Sequence, residues 1–416
     1  MLTFLKNNPI FSKIAGISLF SKVGDRLFYT AMLTTAASLP NGNTAVMMVS
    51  ISETLPILLS FFLGTLADKK KRKIHLLIQN SFVRTVMYLS IGLLFNYPHT
   101  LFLLFLMASF NFISDLAGNY SSALVTPFTK NLVKAEDMEQ AQGIISMTTQ
   151  LINVLATFAG ATLLSFFYRS TLAYINASVF FIVGIGYFFI YPELSAVEKK
   201  ITVNNNENTL PTIKKNFKLL LHNKSILNNL FQLSLLDGFF GGLTPIFVLF
   251  IQTNRSLMFI SSPVKISLLS GLITVAMVFG NVLNTKLFLN VSIGKLNNIA
   301  SSFISLGGIA FLLNNLYLVF ISAGVVSFLL GVVSPRFSAK VINEYPTERL
   351  GGIVTTVNSL LVLTPPMTSF IFPILTNVSL TFSYFGFILY SIILLALSVV
   401  VLKHKKQARN ASNKRF

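Results

Sequence analysis

The chain has 416 residues, of which 53% are hydrophobic and only 11% charged, with a formal net charge of +19. Too little polar surface remains for a water-soluble protein of this size, so the composition excludes an ordinary soluble domain and makes a bilayer the natural solvent. Cysteine is absent, which excludes disulfides, thiol catalysis and thiolate metal sites.

A membrane-crossing helix needs about 20 apolar residues. Runs of that kind are predicted near 10–37, 44–66, 74–95, 100–125, 143–166 and 172–191, and again near 225–252, 264–289, 297–313, 317–338, 350–376 and 382–402. The first run is too long for a removed signal peptide and lacks a small-residue cleavage site, so it is expected to stay in the mature protein. Between the sixth and seventh runs, Pro192 to Asn223 contains Asn204, Asn205, Asn206, Glu207 and Asn208 with several lysines, and reads as a polar linker. The expected fold is an all-α polytopic membrane protein with twelve transmembrane helices in two pseudo-symmetric halves. Residues 1–191 form an N-terminal six-helix bundle, 192–223 a cytoplasmic linker, 224–402 a C-terminal six-helix bundle and 403–416 a basic cytoplasmic tail.

The cations follow this scheme. With the amino terminus inside, the cytoplasmic loops hold Lys69, Lys70, Lys71, Arg72, Lys73, Lys130, Lys134, Lys199, Lys200, Lys214, Lys215, Lys218, Lys295, Lys340 and Arg349, while the opposite loops hold only Arg169 and Arg255. The bias places both termini in the cytoplasm of a bacterial cell, with the protein in its plasma membrane. The positive charge is therefore topology, and no nucleic-acid partner is needed to explain it. The basic tail suits anionic membrane lipid, although a plain retention signal explains it better.

The halves share weak internal similarity. A shift of 216 positions lays Ile10 on Ile226, Ser18-Leu19-Phe20 on Ser234-Leu235-Leu236, Gly64 on Gly280 and Asp68 on Asn284. A shift of 212 lays Glu136 on Glu348. A repeated six-helix unit is transporter architecture, with a substrate site between the repeats near the bilayer midplane.

After the second span stands Gly64-Thr-Leu-Ala-Asp68-Lys-Lys-Lys-Arg72-Lys73, with a faded copy at Gly280 to Asn284. Gly64 lets helices approach closely, and Asp68 suits a helix amino terminus or a basic partner. This sequence resembles the loop signature of the major facilitator superfamily, in which the loop latches the two halves on the cytoplasmic side. Ser21-Lys-Val-Gly-Asp25, Thr126-Pro127 through Lys134-Ala-Glu136 with Gln140, Gly143 and Gln150, and Glu344-Tyr-Pro346-Thr-Glu348-Arg349 resemble the branch containing macrolide-efflux proteins and the enterobactin exporter. The resemblance implies an antiporter working as a monomer on small-molecule substrates and protons. The chain departs from drug antiporters in lacking a Gly-Pro pair in span five, where it has Ala159-Gly160-Ala161, and in lacking an arginine in span four.

Ionisable groups inside spans are costly unless paired or hydrated, which makes them functional candidates. They are Lys22, Asp25 and Arg26 in span one, Glu53 in span two, Arg84 in span three, Asp115 in span four, Asp237 in span seven and Arg336 in span ten. The resemblance implies that spans one, four, seven and ten line the cavity. Asp25, Asp115, Asp237 and Glu53 are the proton-coupling candidates, with Lys22, Arg26, Arg84 and Arg336 as their charge partners. Asp25 stands first, and the structural alternative is an ion pair with Lys22, three residues away, or with Arg84. Glu53 fits a gating ion pair equally well. Phe239 and Phe240, beside Gly238, Gly241 and Gly242, are candidates for lining a greasy cavity; a tight helix contact through the glycines competes and is slightly favoured. Pro365, Pro366 and Pro373 are expected to bend span eleven.

Enzyme chemistry has little support. The four histidines form no metal-binding pair, Gly184-Ile-Gly186 is an incomplete nucleotide fingerprint inside a span, and no Walker loop is present. No metal or cofactor is expected, and an ion gradient is the natural drive. The leading function is proton-coupled export of amphipathic compounds such as macrolide-type drugs; import of a nutrient or metabolite and a non-transporting scaffold or immunity role are the alternatives.

Overall fold

A computed structural model describes residues 2–28, 32, 35–36, 42–98, 100–203, 209–253, 262–288 and 290–413, some helix positions by their backbone alone. Every regular element among them is helical. In chain order these are α1 (Leu2–Asn7), α2 (Pro9–Leu27), α3 (Gly42–Leu58), α4 (Ser60–Asp68), α5 (Lys73–Leu94), α6 (Leu101–Leu132), α7 (Met138–Phe166) and α8 (Arg169–Phe189). There follow α9 (Tyr191–Glu198), α10 (Thr209–His222), α11 (Lys224–Thr253), α12 (Ser262–Leu287), α13 (Ile293–Leu312), α14 (Leu316–Glu344), α15 (Leu350–Leu375) and α16 (Leu380–Asn413). Seven helices among the described residues are long and apolar enough to cross a membrane, and the pair α3 and α4, bent by 45°, supplies an eighth. Helices α2, α7, α12 and α13 stand where spans one, five, eight and nine are predicted. The fold is that of an all-α polytopic membrane protein.

Local chemistry sets several boundaries. Pro9 opens α2, the Thr100 hydroxyl accepts from Leu103 N at 3.2 Å to cap α6, and just beyond the end of α13 Asn314 adopts the left-handed region with φ 51°. Helix α5 has no cap from its own preceding residue. The Glu198 carboxylate supplies one from α9, accepting from Ile74 N at 2.9 Å.

The chain divides into two compact units. The first comprises Met1–Ala141, Thr148–Leu220 and Val341–Ser359; the second comprises Gln142–Met147, Leu221–Lys340 and Leu360–Phe416. The main boundary falls between Leu220 and Leu221, in the last turn of α10, while the start of α15 joins the first unit and a turn of α7 joins the second. The cause of the first exchange is local. A Cβ on Gly64 would overlap the Thr355 hydroxyl and come 2.5 Å from the Gly351 carbonyl, so α4 and the opening turns of α15 are in direct backbone contact.

In the first unit α5 packs along α8 and α6, with α2 against α8. Two apolar clusters lie along these helices. One contains Phe28, Tyr88, Leu104, Met107 and Phe180, the other Ile14, Leu77, Leu124, Phe128 and Tyr187. In the second unit α16 packs against α13 and α11 around an aromatic core. Phe387 lies 4.2 Å from Phe372 in a stack and 5.6 Å from Phe239 edge-on, and Phe311 stacks on Tyr384 at 5.1 Å.

Candidate functional site

Three groups of polar side chains stand out against this apolar packing. The first is a layer between the two clusters of the first unit. Arg84, near the middle of α5, is 2% exposed; its Nε donates to Ser114 Oγ at 3.1 Å, an Nη donates to Ser21 Oγ at 2.8 Å, and its guanidinium carbon stands 3.7 Å from the Phe180 ring centroid. A planar cation that hydrogen-bonds on its edge and stacks on its face fits guanidinium chemistry and not that of an ammonium. Beside it Tyr88 donates to Asn111 Oδ1 at 2.7 Å, and Asn111 Nδ2 donates to Asp115 Oδ2 at 3.0 Å. Lys22 donates to Thr149 Oγ1 at 2.9 Å. The layer thus draws on α2, α5, α6 and α7, and on α8 through Phe180. The fully buried Asn176 amide, which faces Gly24, makes no hydrogen bond among the described residues. Asp25 and Arg26 lie on α2 in this region, but their side chains fall outside the described ones. Glu53 is half-buried on α3.

The second is Asp237 on α11. It is half-buried and has no hydrogen bond or ion pair among the described residues. The Tyr390 hydroxyl lies within electrostatic range and donates to the Leu235 carbonyl at 2.7 Å. The adjacent glycines are contact points: a Cβ on Gly238 would come 2.6 Å from the Tyr390 hydroxyl, one on Gly241 would overlap the Pro365 carbonyl, and one on Gly242 would overlap the Phe372 ring. The glycine-rich turn is therefore a close helix crossing with α15. Phe239, expected as a cavity lining, is corrected to a core residue, because it is fully buried between Phe240 and Phe387. Phe240 beside it is half-buried.

Arg336 also differs from expectation. Its guanidinium donates to the carbonyls of Val291 at 2.7 Å and Phe288 at 3.2 Å, so it holds the turn between α12 and α13.

The third group is the Gly64 to Lys73 segment. The Asp68 carboxylate, 5% exposed, accepts from Gly351 N at 2.8 Å through one oxygen and from Gly352 N at 2.7 Å through the other. It therefore holds two orphan donors of the first turn of α15, where the helix dipole favours negative charge. Lys73 is buried and folds back to donate to the Ala67 carbonyl at 2.5 Å, which satisfies the end of α4. Arg72 is exposed. Ser60 and Ser359 are 3.0 Å apart, and Ser359 Oγ donates at 2.9 Å to the Ile57 carbonyl at the bend between α3 and α4.

Sequence reasoning quoted Ser21 only within a motif, and did not single out Ser114, Asn111, Tyr88, Glu198 or the serine pair. Of the missed residues only Asn111 carried a local signal, its spacing of four from Asp115 on one helix.

These features agree with known proteins. The sequence matches the Major Facilitator Superfamily over residues 14–364, and no curated protein matches it. Among solved structures, a bacterial homologue of the iron transporter ferroportin superposes with a TM-score of 0.71 at 15% identity, covering 95% of this chain and 99% of that one. The human organic anion transporter MFSD10 gives 0.71 at 12% identity over 94% and 99% of the two chains. The E. coli fucose:proton symporter gives 0.64 at 10% identity over 94% and 98%. The chain belongs to the major facilitator superfamily and is a multi-pass membrane transporter, not an enzyme.

Proposed function

We propose that this transporter is a proton-coupled exporter of amphipathic small molecules, macrolide-type drugs among them, working by alternating access of the two six-helix halves. The observation that carries the reading is Asp237, a carboxyl group within a membrane-crossing helix with no hydrogen-bonding or ionic partner among the described residues. Such a group costs several kcal/mol in its charged form unless a counter-charge or water reaches it, so a proton that comes and goes with the transport cycle is its natural partner. Asp25, Asp115 and Glu53 are the further coupling candidates, with Lys22, Arg26 and Arg84 as the charge partners near them in sequence or in the first unit. The Asp68 contact to α15 is the cytoplasmic latch of the cycle. The local similarity to macrolide-efflux proteins and the enterobactin exporter supports the outward direction. The protein works as a monomer in the bacterial plasma membrane, with both termini in the cytoplasm.

Uptake is the second reading, favoured by the shared fold with a fucose:proton symporter. The test is accumulation of a labelled macrolide in expressing cells, with and without a protonophore. The expected result is low accumulation that rises when the proton gradient collapses, with Asp237→Asn cells resembling collapsed ones. Extrusion that persists through Asp237→Asn, Asp115→Asn and Asp25→Asn refutes the coupling, and proton-driven net uptake replaces export by import.

A further inference from the structure

Helix α10 has three faces. Thr212, Asn216 and Leu220, spaced one turn apart, are buried. This side leans on α4, with Asn216 Nδ2 donating to Thr65 Oγ1 at 3.4 Å and Lys69 Nζ donating to Thr209 Oγ1 at 3.1 Å, while the Phe217 ring meets Phe61 edge-on at 5.8 Å. Because α4 completes a membrane-crossing segment, these contacts fix α10 beside the end of span two, which the cation bias of the sequence assigns to the cytoplasmic side. On the outward side Leu210 and Leu221 are 74% and 58% exposed. They fall on one stripe at helical spacing, about three turns apart. Lys214 falls in the same stripe and Lys218 in the next, both exposed.

Large outward leucines beside outward lysines are poorly suited to water on every side. They suit the headgroup layer, where leucines enter the acyl boundary and lysine stems carry their ammonium groups to lipid phosphates. The sign of the charge selects the partner, because a cytoplasmic leaflet rich in anionic lipid attracts cations at its surface. We infer that α10 is a docking element for anionic phospholipid, anchored by Leu210 and Leu221 and made selective by Lys214 and Lys218. Its inner face touches Thr65, one turn before Asp68, so an occupied lipid site also steadies the helix that carries the latch.

The chain contains no tryptophan, so Leu210→Trp in the full-length protein is its single tryptophan, excited selectively at wavelengths the tyrosines do not absorb. The variant is placed in nanodiscs of phosphatidylcholine and phosphatidylglycerol in which one lipid or the other carries brominated acyl chains. At equal mole fraction, brominated phosphatidylglycerol is expected to quench more strongly, and Lys214→Gln and Lys218→Gln each reduce that preference by about fivefold. Phe105→Trp, on the 54% exposed outer side of span four, reports intact reconstitution and is quenched equally by both lipids. Emission typical of water with no quenching by either lipid overturns the proposal, as would occur if α10 faced a protein or solvent. Equal quenching that ignores the lysines overturns the headgroup selectivity.

Discussion

Asp68→Asn is the most direct perturbation of the contact between α4 and α15. The substitution keeps the shape of the side chain and removes its charge. Asp68 accepts two backbone N–H groups at 2.8 and 2.7 Å from a position only 5% exposed, so solvent screens little of the interaction. Hydrogen bonds to a charged group each contribute about 1.5–3 kcal/mol. Asparagine retains one acceptor oxygen, loses the favourable charge at the helix amino terminus, and turns an amide N–H toward a backbone N–H. The net cost is about 2–4 kcal/mol, equivalent to about thirty-fold to several-hundred-fold in the equilibrium between the closed and opened contact. Because the chain has no cysteine, Ser359→Cys provides a clean reporter at a site 6% exposed beside Ser60. Its labelling by a soluble maleimide in membranes should accelerate by that factor in the Asp68→Asn background. An unchanged labelling rate would refute the assignment of Asp68 as the group that holds α15.

Gly64→Ala attacks the same contact sterically: its Cβ would overlap the Thr355 hydroxyl, so Ser359→Cys labelling should accelerate at least as much as for Asp68→Asn. Arg84→Gln removes two charged hydrogen bonds and a cation–π contact from a buried layer, and should destabilise the protein by about 3–5 kcal/mol, read as a lowered unfolding midpoint in detergent. Arg84→Lys should recover little of that loss, because an ammonium cannot bridge Ser21 and Ser114 while lying flat on Phe180. Gly241→Ala drives a methyl group into the Pro365 carbonyl and should cost about 1–3 kcal/mol by the same measurement, whereas Phe240→Leu, at a half-buried position, should cost less.

What the sequence made legible was whatever depends on neighbours along the chain. Apolar runs of membrane length gave the helices, and the position of Asp68 before a basic cluster pointed to either a helix amino terminus or a basic partner for it. What it left dark depends on which helix crosses which. Span two was expected to be continuous, yet it bends by 45° after Pro56, and the Ile57 carbonyl at that bend finds its donor in Ser359, about three hundred positions away in sequence. The same distance effect explains why Arg84 looked like one charge among several. Its serine partners are unremarkable residues on two other helices, and only their convergence separates a held guanidinium from a free cavity cation. Phe239 follows the same logic in reverse, since an aromatic residue beside an acid suggests a binding surface until Phe387 is found against it. Charged and small residues therefore announce where chemistry is concentrated, but their role is fixed by the helix that happens to lie opposite. On that ground Asp237, which has no such partner among the described residues, is a stronger coupling candidate than Asp115, which is already tied to Asn111.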